Sequence, residues 1–372
     1  MLKSLKVNWL IERTSRKNLV ALITIILIVV GCMFYIKSQE LSNQIVERRG
    51  DYYTTKAALS KFPIKDASEA GDGSELYKNL TKQKSSIALQ IAALTTNKYE
   101  MYYEASANIA KLRADAFSLE DYEKVADYLP SKVQNNMDLL YFQFMVDSGY
   151  TTISNLFEYV PFLLFFFSII GVFWYIFVSF FTSSLLLDEY NHTSLIKGFP
   201  IQFNHYIFAK CTITFCYILL FIGFIFITAL PLLFMNGLSS VKEYVVVYIG
   251  KPELYTSVQY IAVVIGFMLV IGIFAMLVSI ISNILLKNMY LTLFIHIILF
   301  SLPSFFPSLI QLFPYNPYNF MNMNNILRGV PMDFSTPVDI TVVHGIGILL
   351  VSIILMLVVI KLFFSTGKMK RI

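Results

Sequence analysis

The sequence predicts an all-α polytopic membrane protein, with six transmembrane helices and a helical extracytoplasmic insert between helices 1 and 2. Three observations predict it. Of the 372 residues, 56% are hydrophobic and only 14% are charged, with a mean hydropathy of +0.64; a soluble domain is about a quarter charged. The apolar residues also cluster: residues 18–36, 211–241 and 259–286 carry no charge at all. Residues 37–157 then break from this pattern, with 14 basic and 16 acidic side chains. Disordered, collagen-like and disulfide-scaffold classes are excluded by the wealth of aromatic and aliphatic residues. Cys32, Cys211 and Cys216 all fall in predicted spans, so no disulfide framework is expected.

The first span covers residues 18–36, behind Lys3, Lys6, Arg13, Arg16 and Lys17. A cleavable signal peptide would end in small residues. This run instead passes through Cys32, Met33, Phe34 and Tyr35 into charged sequence, which favours an uncleaved span. Further spans are expected at 159–182, 208–234, 260–282, 290–306 and 340–364. About 20 apolar residues cross a hydrocarbon core of about 30 Å. Lys and Arg set the topology. Both tails are basic, the C-terminal one through Lys361, Lys368, Lys370 and Arg371; loops on the same side carry Lys197, Lys210 and Lys287. The opposite loops hold only Lys242, Lys251 and Arg328. Both termini are therefore expected in the cytoplasm, and residues 37–157 outside it. Long loops translocate regardless of charge.

The insert reads as helices. Leu41, Ile45, Tyr52 and Leu59 recur near helical spacing, in a helix that continues out of the first span. Residues 62–74 form a Pro/Gly loop, and helical spacing resumes over 75–116. Ser118-x-x-Asp121 reads as the cap of a helix of about ten residues, and 131–147 make the last helix. Two readings stand for this domain: a spacer, or a lid or partner-docking platform. The sequon Asn79-Leu80-Thr81 carries little weight.

Several chemistries lack their motifs. There is no G-x-x-x-x-G-K-[ST] phosphate loop, no HExxH, no CxxC and no GxSxG. His192, His205, His296 and His344 are scattered, so no metal centre is expected. The only carboxylates at the spans, Glu158 and Asp339, sit at span ends, whereas ion-coupled carriers need ionisable groups at membrane depth. His296 is the one ionisable side chain well inside a span. It is either a histidine bonded to a neighbouring helix or part of a translocation path.

The most informative segment is 184–210, SLLLDEYNHTSLIKGFPIQFNHYIFAK. It is too long for a tight turn. Asp188 and Glu189 suit the positive end of a helix dipole, and Gly198 and Pro200 suit a helix stop. An interfacial anchor is the simplest reading. Beyond that, the segment resembles the ABC-2 type membrane permease family. There, an acidic residue, a short coupling helix, a Gly-x-Pro-like turn and a basic residue opening the next span follow one another. The matching positions are Asp188 and Glu189, Thr193 to Lys197, Gly198, Phe199, Pro200 and Lys210. Where that family carries a small residue and then a basic one, this chain has Ile201-Gln202-Phe203.

Two more features are similar to that family. Residues 1–17, with Leu2, Leu5, Trp9 and Ile11 among basic residues, resemble its amphipathic connecting helix on the inner leaflet. Residues 300–320, with Pro303, Pro307, Pro314 and Pro317, resemble its proline-broken, re-entrant segment; an ordinary proline-rich outside loop is the alternative. Irregular backbone at membrane depth needs protein or water partners.

The resemblance implies a non-catalytic, multi-pass subunit of a bacterial cell membrane. Residues 158–372 would hold helices 2–6, with the coupling helix at about 184–207. Two six-helix permeases, identical or homologous, would pair within membrane lipid, and cytoplasmic ABC ATPase subunits would bind ATP and Mg and drive export. No cofactor in this chain and no nucleic-acid partner is implied. Phe162, Phe165, Phe166, Phe167, Phe221, Phe224 and Phe226 suit an amphipathic cargo if they line the path, or lipid if they face outward. The similarity to exporters of bacteriocins and streptolysin S-type peptides implies a peptide cargo; drug, lipid or sodium efflux also occur in the family. Outside it stand a receptor or scaffold that binds a partner through the insert, and a membrane enzyme, for which no convergent acids, histidines or cysteines are found.

Overall fold

The computed structural model describes residues 2–13, 15–62, 74–187, 203–334 and 340–365. Five helices are long and apolar enough to cross a membrane: α2 (Arg16–Ser38), α7 (Tyr159–Thr182), α8 (Phe203–Asn236), α9 (Ser257–Leu286) and α13 (Val342–Ser365). The chain is thus a predominantly helical, multi-pass membrane protein. The predicted fifth span is α10 (Met289–Phe305), which is apolar but has only 17 residues. At about 1.5 Å per residue it is about 25 Å long, short of a core of about 30 Å.

α7 and α9 form the centre of the bundle. They pack on each other; α8 and α10 lie against α7, and α13 against α9. Their buried faces are dense with Phe, Ile and Trp, and the Trp174 indole donates to the Met268 carbonyl at 2.8 Å. Phe162, Phe166, Phe167 and Phe221 are fully buried and stack among the helices, while Phe165, Phe224 and Phe226 are half-buried. The lipid-facing reading of these rings is therefore wrong for the buried four. α1 (Leu2–Arg13) is a separate helix packed on α8, where the Trp9 ring stacks 6.0 Å from Tyr217.

The helical domain comprises α3 (Gln44–Leu59), α4 (Glu75–Thr95), α5 (Tyr99–Ala116) and α6 (Lys132–Asp147), each packed on the next. Two small cores, around Leu76 and Leu80 and around Tyr102 and Met145, are separated by a polar seam. In that seam Gln83 donates to Asn79 and Gln90 to Ser106, both at 2.7 Å.

Four expectations change here. α3 does not continue out of α2: residues 39–43 turn between them, with Glu40 at φ 50°, and Asn43 caps α3 by accepting from the Ile45 amide. The stretch 75–116 is two helices, broken where Asn97 takes φ 55°. Ser118-x-x-Asp121 caps no ten-residue helix. Asp121 is left-handed at φ 68°, and only short 3-10 turns at Tyr122–Lys124 and Ala126–Tyr128 follow. Asn79 of the sequon is buried and donates to the Leu112 carbonyl at 2.9 Å.

The sequence gives no warning of a β-hairpin in the 236–258 connection. β1 (Tyr244–Tyr248) pairs antiparallel with β2 (Pro252–Thr256), with Val246 opposite Leu254. The hairpin is a collar between the domain and the membrane helices. Its Tyr244 ring meets Phe144 of α6 at 4.7 Å. At its base, Glu158 accepts from the Ser240 amide at 2.8 Å and from its hydroxyl at 3.1 Å.

Candidate functional site

Of the predicted coupling residues, Asp188, Glu189, Thr193, Lys197, Gly198, Phe199 and Pro200 lie outside the described residues. Lys210 lies within them, on α8, and is 4% exposed. The other predicted site residues converge on Tyr175.

Three membrane helices each place a pair of polar side chains one turn apart, four residues along the chain: Tyr175 and Ser179 on α7, Ser279 and Asn283 on α9, Thr292 and His296 on α10. This spacing puts each pair on one face, and all six residues are fully buried. His296 Nδ1 lies 2.7 Å from the Tyr175 hydroxyl and 3.0 Å from that of Ser179. Its Nε2 lies 2.9 Å from the Ser279 hydroxyl, which lies 2.8 Å from Thr182 Oγ1. One tautomer satisfies the whole chain. With the proton on Nε2, the ring donates to Ser279, Ser279 donates to Thr182, and Thr182 donates to the Val178 carbonyl at 2.9 Å. Nδ1 then accepts from Tyr175 and Ser179. Asn283 donates to the Ser183 carbonyl at 3.0 Å, while its own Oδ1 and the Thr292 hydroxyl, both buried, have no partner. His296 is thus bonded to two neighbouring helices. Each such bond between membrane helices contributes about 0.6 kcal/mol.

Directly beside this network sits the proline-rich segment. Pro303 lies inside α10 and Pro307 is exposed at its far end, before α11 (Ser308–Leu312). Pro314 and Pro317 belong to a return. Pro317 opens the 3-10 turn Pro317–Phe320, and α12 (Met323–Leu327) follows. Tyr318 packs edge-on against Tyr175 at 6.1 Å and Phe274 at 5.6 Å, and Phe300 stacks on the other side of Tyr175 at 5.9 Å. Phe320, Met321, Met323 and Ile326 are at most 1% exposed.

This return runs deep. Gly171 and Tyr175 lie about 18 and 24 Å along α7 from Tyr159, at 1.5 Å per residue. A Cβ at Gly171 would stand 2.7 Å from Met323 Cε. On the opposite flank, a Cβ at Gly345 of α13 would stand 2.6 Å from Phe320 Cδ1. Missing side chains on two helices make room for the return.

Irregular backbone at such depth needs partners, and asparagines supply them. Asn319 donates to the carbonyls of Phe313 and Pro314 at 2.9 and 3.3 Å. Asn316 accepts from the Tyr318 amide at 3.1 Å, and Asn322 from the Asn325 amide at 3.2 Å. The sequence reading found the prolines and overlooked these asparagines. The run NPYNFMNMNN, among apolar residues, was the available signal. The return leaves the bundle at Gly329, φ +65°, where a Cβ would stand 2.7 Å from the Tyr248 ring and 2.9 Å from Val133 of α6. Re-entrant segment, hairpin and domain thus meet at one glycine.

Charge gathers just above that joint. Arg48 pairs with Glu47 and, at 2.6 Å, with Asp51. Burial pushes the Asp138 carboxyl up from its ordinary value, against a hydrogen bond from Gln134 and the charges of Arg113, Arg48 and Arg328. Burial likewise lowers the Arg113 guanidinium. No family model, curated protein or solved structure matches this chain, so its site is read from its own geometry alone.

Proposed function

We propose that this chain is the membrane permease subunit of an ATP-driven exporter of the ABC-2 type. In this reading its six apolar helices, α10 included, pair with those of a second permease, identical or homologous, in a bacterial cell membrane with both termini in the cytoplasm. ATP is hydrolysed by separate cytoplasmic ATPase subunits, and residues 188–200 form the helix on which they push. Packed interfaces switch between discrete arrangements, so a push at 188–200 is passed along α7 and α8, which flank that segment. The cargo is an amphipathic molecule, a peptide toxin or bacteriocin being the first choice.

The observation that carries this reading is the return at 313–329: broken backbone, held by asparagines, driven into the bundle between α7 and α13. A receptor or anchor has no need of such a segment, whereas discontinuous backbone at membrane depth marks transport proteins. The test is the permease reconstituted with its ATPase. Glu189→Ala and Phe199→Ala are expected to uncouple ATP hydrolysis from cargo movement while membrane insertion stays normal. Transport at the normal rate by both variants would sink the proposal.

A further inference from the structure

A cavity of about 310 Å³ lies where α6, the hairpin, α7, α9 and α12 meet, and nothing in the proposed transport cycle uses it. Its height in the membrane follows from the helices. α7 has 24 residues and α9 has 30, or about 36 and 45 Å at 1.5 Å per residue, against a hydrocarbon core of about 30 Å. Leu164 and Tyr260, which line the cavity, belong to the first turns of these helices on the domain side. The cavity is therefore level with the lipid headgroups.

Its lining carries both signs of charge. Asp138 accepts from the Gln134 amide at 2.9 Å, and the Gln134 carbonyl accepts from Arg328 at 2.8 Å. One glutamine thus holds a carboxylate and a guanidinium apart across the cavity. Asp138 keeps its second oxygen, and Arg328 its remaining guanidinium nitrogens, without a hydrogen bond among the described residues. Tyr260 is only 5% exposed, yet its hydroxyl has no hydrogen-bond partner among them either. Such a hydroxyl normally finds one. Below these groups the wall is apolar, with Leu164 and Leu327.

We infer that this cavity binds a zwitterion made of a primary ammonium and a phosphate, supplied by the headgroup of phosphatidylethanolamine from the domain-side leaflet. The ammonium has three donors and meets the free oxygen of Asp138 and the Tyr260 hydroxyl. The phosphate meets the free edge of Arg328, which suits planar, bidentate recognition. A trimethylammonium has no donor and would leave Asp138 and Tyr260 unpaired, so phosphatidylcholine is the poorer fit. An anionic headgroup lacks a partner for Asp138. The volume lies at the lower bound for small-molecule sites, which suits a headgroup and excludes the body of a peptide cargo. Burial raises the Asp138 carboxyl, and an ammonium would hold it ionised.

The test uses the delipidated full chain in mild detergent. Its melting temperature is titrated with mixed micelles of phosphatidylethanolamine, phosphatidylcholine or phosphatidylglycerol, and separately with free phosphoethanolamine. Saturable stabilisation by phosphatidylethanolamine alone is expected. Tyr260→Phe, which keeps the ring, should raise the half-saturating lipid concentration roughly three- to tenfold, and Asp138→Asn about tenfold or more. Equal stabilisation by phosphatidylcholine or phosphatidylglycerol would overturn the inference, as would unchanged lipid dependence in Tyr260→Phe. Free phosphoethanolamine acting at the lipid's own concentrations would overturn the lipid as the source. Because the readout is lipid-dependent melting, failure here leaves the transport proposal standing.

Discussion

Gly345→Ala tests whether the return really lies inside the bundle. The new methyl would stand 2.6 Å from Phe320 Cδ1 and 3.3 Å from Phe267 Cζ. Both rings are fully buried, at most 1% exposed, so neither swings aside freely. Overpacking of this kind costs about 1–3 kcal/mol. With an unfolding entropy of about 2.1 cal/mol/K per residue, the melting temperature of a chain this long should fall by roughly 1–4 °C. Scanning fluorimetry in detergent resolves such a shift. A double-mutant cycle makes the assignment specific. Phe320→Leu removes the ring edge that the methyl strikes, so the double variant should be more stable than the sum of the single effects by at least about 0.5 kcal/mol. If Gly345→Ala melts with the wild type, or the two changes simply add, Phe320 does not sit against α13 and the account of a re-entrant return fails.

Three further outcomes follow from the same structure. His296→Leu strips three hydroxyl partners from the network, and at about 0.6 kcal/mol per bond it should cost roughly 2 kcal/mol, read as a lower melting temperature; a loss under a quarter of that would mean the network binds the helices little. Asn319→Ala frees two carbonyls at depth and should cost about 1–3 kcal/mol, whereas Asn322→Ala, which frees one amide, should cost less; the reverse order would contradict the bonding described. The third concerns pH. Asp138 and Glu243 are both raised by burial above ordinary values of 3.8 and 4.5, so the folded state holds their protons more tightly than the unfolded one. Their stabilisation is present in acid and is lost as pH rises through the folded values. Asp138→Asn should therefore flatten the decline in melting temperature between about pH 4 and neutrality, and an unchanged slope would assign the decline elsewhere.

The membrane helices were legible because about 20 apolar residues in a row have few other fates. The domain helices were legible from spacing, but their breaks were not. Glu40, Asn97 and Asp121 adopt left-handed backbone, which nothing about a Glu or an Asp in sequence announces. The hairpin was hidden because residues 244–248, YVVVY, form a short apolar run without alternation, and periodicity cannot assign such a run. At the site, His296 was visible as an ionisable residue among apolar ones. Its partners Tyr175, Ser179 and Ser279 were not, since the sequence carries no record of which helices are neighbours. The polar pairs four residues apart, 175/179, 279/283 and 292/296, were nonetheless on the page. Read together they would have pointed to three helix faces turned towards one another. The prolines showed where the backbone must break, and the asparagines showed that the break would be buried.

The claim that this is the permease of an ATP-driven exporter is tested most directly by gentle purification of the tagged chain from its native membrane, with mass spectrometry of whatever accompanies it. A stoichiometric ATPase subunit is the expected companion, either with a second six-helix protein or with this chain in two copies. Recovery of the chain by itself, stable in several mild detergents and with no ATPase in any of them, would contradict the claim.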